Sequence, residues 1–114
     1  RDVASVEAFN WMLFDPASTV ADDTFAAFEA DLRVASGRGF FRNDDGGWYD
    51  SQEWVIADLR TALAYQHAGD AAEAAALLTA VGVALALREL SSRLPESAPE
   101  VMVTIADVER AFPY

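Results

Sequence analysis

The chain has 114 residues, no cysteine and a net charge of −11, from 19 acids against 8 bases. Such an acidic surface repels phosphate backbones and anionic lipid, which argues against nucleic-acid and membrane partners. The length suits one small domain or a piece of a larger one, and without cysteine neither a disulfide nor a thiolate metal site can form.

The elements read mostly as helix. Asp2 to Phe14 places Val3, Val6, Phe9 and Leu13 near one face, and Asp15-Pro16 ends it, because the residue before proline avoids the α region. Asp22 or Asp23 can cap a second helix through Ala35, with Phe25, Phe28 and Leu32 on one stripe. Gly37 and Gly39 stop it. Phe40 to Tyr49 has no helical period. Asn43-Asp44-Asp45-Gly46-Gly47 is turn chemistry between two aromatic pairs, which predicts a short β-hairpin.

Asp50-Ser51-Gln52-Glu53 reads as a capping box opening a third helix, which runs to His67 with Gly69 at C′. Asp70 to Glu73 is a second capping signature. It opens a long helix to about Ser92, with Ala74, Leu77, Leu78, Val81, Leu85 and Leu90 as expected buried positions. Leu94-Pro95 breaks that helix, and Thr104 to Phe112 can form a last short one. The longest apolar run, Leu77 to Leu87, falls short of the ~20 residues that cross a bilayer. No signal-peptide pattern follows Arg1.

The two helices joined by Ala68-Gly69-Asp70 form an αα-hairpin with small residues at Ala62, Ala64, Ala74, Ala75 and Ala76. Wide apolar faces on such a hairpin want neighbours on both sides, which favours an α/α toroid or solenoid.

The stretch from Arg42 to Trp54 is richest in chemistry. Arg42 and Asp45 can hydrogen-bond sugar hydroxyls, and Trp48 and Tyr49 can cover the apolar face of a ring. The same residues also suit a plain turn, its aromatics packed on helix ends and its acids solvated. Glu53 and Glu96 are candidates for the carboxyl pair of glycoside hydrolysis, although Glu53 reads first as the capping-box acid and the default for Glu96 is a solvated loop acid. His67, the only histidine, is no metal site by itself.

This pattern resembles the C-terminal part of the glucoamylase-like enzymes of glycoside hydrolase family 15. Those carry an Arg, an acidic pair, an aromatic pair and a Trp at a helix mouth, and Arg42, Asp45, Trp48-Tyr49 and Trp54 fall on matching positions. T-A-L-A-Y at Thr61 to Tyr65, the Ala68-Gly69-Asp70 turn and E-A-A-A-L-L at Glu73 to Leu78 are similar too. Arg93-Leu94-Pro95-Glu96-Ser97 lies where the family places the segment bearing its general base. The chain departs from the pattern at Gly46, at Ser51-Gln52-Glu53 and at Ile105-Ala106-Asp107.

The resemblance implies an all-α fold: an incomplete (α/α)6 toroid of about four to five helices with one short β-hairpin loop. Residues 1–114 would be a C-terminal fragment of the catalytic domain, inactive without its upstream part, where the general acid lies. Glu96 would be the base of an inverting reaction on α-linked oligosaccharides, with Arg42, Asp45, Trp48 and Tyr49 holding the sugar and no cofactor or metal. The alternatives are another six-hairpin sugar enzyme, such as a disaccharide phosphorylase or an unsaturated-uronide hydrolase, and a helical protein-interaction module. The compartment is not legible.

Overall fold

A computed structural model describes residues 1–34, 39–48, 50 and 52–92. The chain divides into two compact units, Arg1–Val81 and Gly82–Tyr114. Among the described residues a 3-10 turn at Val3–Val6 leads into helices α1 (Glu7–Asn10), α2 (Thr19–Asp31), α3 (Val55–His67) and α4 (Ala71–Ser92). The all-α character expected from the periodicity is therefore present. The expected short helix over Thr104–Phe112 and the break at Leu94-Pro95 lie outside the described residues.

The first unit is built around aromatic rings. Phe25 of α2 stacks on Tyr65 of α3 with centroids 4.4 Å apart, and Phe9 and Phe28 close on Phe25 at 5.8 and 6.5 Å. Phe40 completes the cluster, 6.1 Å from Phe28. Val3, Val6, Leu32, Ala62, Ala64, Ala74 and Leu77 fill the spaces between the rings. The small alanines let the helices approach closely around the large rings.

Local chemistry explains the boundaries. Asp2 caps the 3-10 turn by accepting the Ala4 N–H at 2.8 Å. The first helix ends earlier than expected, at Asn10, because Met12 turns left-handed at φ 56° and its N–H returns to the Phe9 carbonyl. Leu13 is consequently thrown out of the predicted stripe and is 75 % exposed. Helix α2 is capped by Ser18, whose Oγ accepts the Ala21 N–H, and not by Asp22 or Asp23. It stops at Leu32, short of Ala35.

Between α3 and α4 the expected turn forms. Gly69 has φ +86°, its N–H donates to the Gln66 carbonyl, and the Asp70 N–H donates to the Tyr65 carbonyl. That is the paired bonding of a Schellman motif. The Asp70 carboxylate then accepts the Glu73 N–H at 3.0 Å and starts α4.

Three expectations are corrected. No strand forms among the described residues, so the predicted hairpin is absent: Phe40, Phe41 and Asn43 pair singly with Arg33, Glu53 and Asp2. Each residue of the segment answers to a different neighbour, which leaves no common register for a ladder. The capping box at Asp50–Glu53 does not form either. α3 begins at Val55 after Trp54, which makes no side-chain cap, because Asp50 is taken by Arg42 and Glu53 turns toward Asp58. In α4, Ala74, Leu77 and Val81 are buried as expected, but Leu78 and Leu85 are half exposed.

The stretch Ala71–Leu90 spans 20 residues at a mean hydropathy of 1.6, enough by length and composition to cross a membrane and longer than the Leu77–Leu87 run. Its alanines, read singly as weakly apolar, sum over five turns. Ala74 and Leu77 belong to the core of the first unit, but only 18 % of the apolar window is buried.

Candidate functional site

Three pieces of chain meet at the start of α3. The N-terminal turn is fixed to the Arg42 backbone by the Val3 N–H, 2.8 Å from the Arg42 carbonyl, and by the pairing of Asp2 with Asn43. Phe41 pairs with Glu53 just before α3. Between them lies a cavity of about 210 Å³ lined by Asp2, Val3, Arg42, Trp54, Ile56 and Arg60, among others. The Arg42 guanidinium is held by the Asp50 carboxylate, and Arg60 Nε lies 3.6 Å from Glu7 Oε1. The walls thus combine an indole, aliphatic carbons, two guanidinium donors and one carboxylate acceptor. That mixture serves a small polyhydroxylated ligand, whose hydroxyls donate and accept and whose C–H face is apolar.

The residues expected from sequence are only partly gathered there. Arg42 lines the cavity. Asp45 is exposed on the adjoining turn, where its N–H donates to Asn43 Oδ1 at 3.1 Å. Trp48 is 80 % exposed, and its carbonyl accepts from Gln52 Nε2. Neither Asp45 nor Trp48 lines the cavity. Tyr49 and Glu96 lie outside the described residues. Glu53 is exposed and faces Asp58 instead of standing alone.

That carboxyl pair is the site's least expected feature. Asp58, on α3, is 2 % exposed, and its Oδ1 accepts the Phe40 N–H at 3.0 Å. A Cβ added at Gly39 would strike both the Glu53 and the Asp58 carboxyl oxygens. Burial, then the hydrogen bond with Glu53, pushes the Asp58 carboxyl up to about 7, against the Phe40 N–H, which lowers it. Two carboxyl groups in contact are too close for a glycosidase pair, which in an inverting enzyme stands about 6.5–9.5 Å apart to admit water.

Beside the pair, Arg33 binds Glu29 and, at 2.6 Å, Glu73, with its guanidinium 4.3 Å above the Phe40 ring. The Tyr65 hydroxyl donates to Glu29 at 2.9 Å. Burial acts to lower Arg33, and the hydrogen bonds it donates to Glu29 and Glu73 outweigh it, so its pKa lies above the ordinary value. Burial, then Glu29, raises the Tyr65 phenol out of its usual range. The network joins α2, α3 and α4 by charge-assisted bonds.

Trp54, Arg60 and Asp58 were not assigned roles from sequence. Asp58 had a signal: Asp58, Thr61, Ala62 and Tyr65 follow i, i+3, i+4, i+7, and all four are buried. An acid on the inward stripe of a helix announces a partner. Compared with known proteins, the chain matches no family model, no curated protein and no solved structure.

Proposed function

We propose that this chain forms part of the sugar-contacting end of an (α/α)6 glycoside hydrolase acting on α-glucosides by inversion. The observation that carries the reading is the convergence of Arg42 and Trp54, from separate segments, on one cavity at the mouth of α3. Those are the arginine and the helix-mouth tryptophan of the family pattern that the sequence resembles. In this reading Arg42 orients hydroxyls, Trp54 supplies the apolar wall, and Asp45, Trp48 and Tyr49 serve more distal sugar units. Glu96 deprotonates the attacking water, and a carboxyl group from the rest of the domain protonates the leaving oxygen. The cavity is smaller than the ~300–1,000 Å³ of most ligand sites, which fits one sugar unit and a site completed by further chain.

The test is hydrolysis of maltose and longer maltooligosaccharides by the polypeptide that carries this segment with its upstream half, following the anomer released. Release of β-glucose, abolished by Glu96→Gln with sugar binding retained, is the expected result. Near-full turnover in Glu96→Gln removes the base assignment, and no turnover of any α-glucoside removes the reading.

One observation favours a second reading. Trp11, Met12, Leu13 and Phe14 are consecutive and exposed, and Ile56, Leu59 and Leu63 expose an apolar stripe along α3. Surfaces of this kind mark sites of association. They suit further helices of a toroid, and they equally suit a helical module that binds protein. Capture of a protein partner with no affinity for sugar supports the second.

A further inference from the structure

We propose that Glu53 and Asp58 hold a single proton between them, and that this proton latches the 39–43 segment to the first turns of α3. Three observations meet at Gly39. Asp58 is buried and spends one oxygen on the Phe40 N–H. Its other oxygen and a Glu53 oxygen both occupy the space a Gly39 side chain would need. The residue next to Phe40, Phe41, pairs through its backbone with Glu53 itself. The 39–43 segment is therefore held to α3 by Asp58 and to the residues before α3 by Glu53, and the two holds touch.

Two carboxylates in contact repel, while a carboxyl group and a carboxylate share a short hydrogen bond. Among the described residues, the charged groups facing Asp58 are Glu53, from the segment before α3, and Arg33, just past the end of α2. Arg33 in turn binds Glu29 of α2 and Glu73 of α4, so one guanidinium already answers two carboxylates. Among the described residues, a second negative charge at the pair would be answered by Arg33 alone, which those two carboxylates already engage. When the proton passes to water, Asp58 cannot follow it to the surface, but Glu53, which is exposed, can swing outward. The Phe41–Glu53 pairing then loosens.

The consequence reaches the cavity. Arg42 lies on the latched segment and Trp54 beside Glu53, so the shared proton holds two walls of the cavity together. The latch concerns this chain's own groups and stands whatever the cavity binds.

The experiment is hydrogen exchange at the Phe40 amide of the 114-residue chain from pH 5 to pH 9, corrected for intrinsic rates, with the Asp58 carboxyl carbon followed by NMR. Protection should fall about tenfold or more as the pair ionises near neutrality, the equivalent of one pKa unit of interaction. In Glu53→Gln the amide can donate to an ionised Asp58, so the step should disappear from the neutral range. Asp58→Asn should keep its protection at pH 9. An exposed position such as 53 tolerates exchange, so the Gln variant remains readable if the Asn variant does not fold. Phe40 protection that is flat from pH 5 to 9, an Asp58 carboxyl titrating in the ordinary carboxylate range, or a Glu53→Gln variant with the wild-type step would each overturn the latch.

Discussion

Asp58 carries a proton in the folded chain over a pH range where the unfolded chain has lost it. Its folded value near 7 stands above the ordinary 3.8. The protonated form's stabilising contribution is therefore fully present below about pH 4. It is lost as pH rises toward 7, and the curve is flat above that. The general repulsion of a chain at −11 also grows as its carboxyls ionise, so the informative quantity is the difference between wild type and Asp58→Asn. Urea midpoints at pH 4.5 and 7.5 should fall with pH in the wild type and fall much less in the variant. Equal declines would mean that Asp58 titrates as an ordinary acid. Gly39 is the steric counterpart. Gly39→Ala places a methyl among the carboxyl oxygens, and overpacking of that kind costs about 1–3 kcal/mol. A wild-type urea midpoint in this variant would show that the pair has room to part.

Helix ends follow the same logic with smaller energies. At Gly69 the left-handed backbone, φ +86°, suits glycine, and Gly69→Ala should cost about 1 kcal/mol in urea unfolding. At Met12 the same left-handed turn, φ 56°, is imposed on a residue with a Cβ. Met12 is more than half exposed and has little packing to lose, so Met12→Gly should gain about 0.5–1 kcal/mol. A loss there would place the Met12 side chain in a contact that the fold depends on.

These elements also show what was legible. The Ala68-Gly69-Asp70 turn and the start of α4 were readable, because every partner lies within a few residues. The capping box at Asp50–Glu53 had the right local pattern and failed, because Arg42 and Asp58 claimed its two acids from farther away. The hairpin failed likewise, its residues dispersed to Arg33, Glu53 and Asp2. Arg42 was legible as a site residue by type and setting. The buried Asp58 was legible in principle from its place on the inward stripe of α3, whereas the cavity wall at Arg60 was not, since it depends on which distant segments pack against that helix.

At the scale of the first unit, a buried aromatic and aliphatic core lies under a surface that exposes many large apolar side chains. Phe28, Phe40, Leu32 and Leu77 are fully buried, yet Trp11 to Phe14, Ile56, Leu59 and Leu63 face outward beside them. The sequence predicts a hairpin wanting neighbours on both sides, and Ile56, Leu59 and Leu63 on α3 are the residues such a neighbour would cover. Periodicity alone could not show that Leu13, Leu78 and Leu85 would join the outside, because each sits at an apolar register position. Surfaces of this kind mark sites of association.

If Arg42 and Trp54 form the wall of a sugar site, titration of the labelled chain with maltose, read by amide and indole resonances, will show it. The Trp54 indole and the Ile56 and Ala57 amides should shift together, and Arg42→Ala should abolish the shifts while the rest of the spectrum is unchanged. Maltose that leaves these resonances still, or moves only the exposed Trp48, would contradict it.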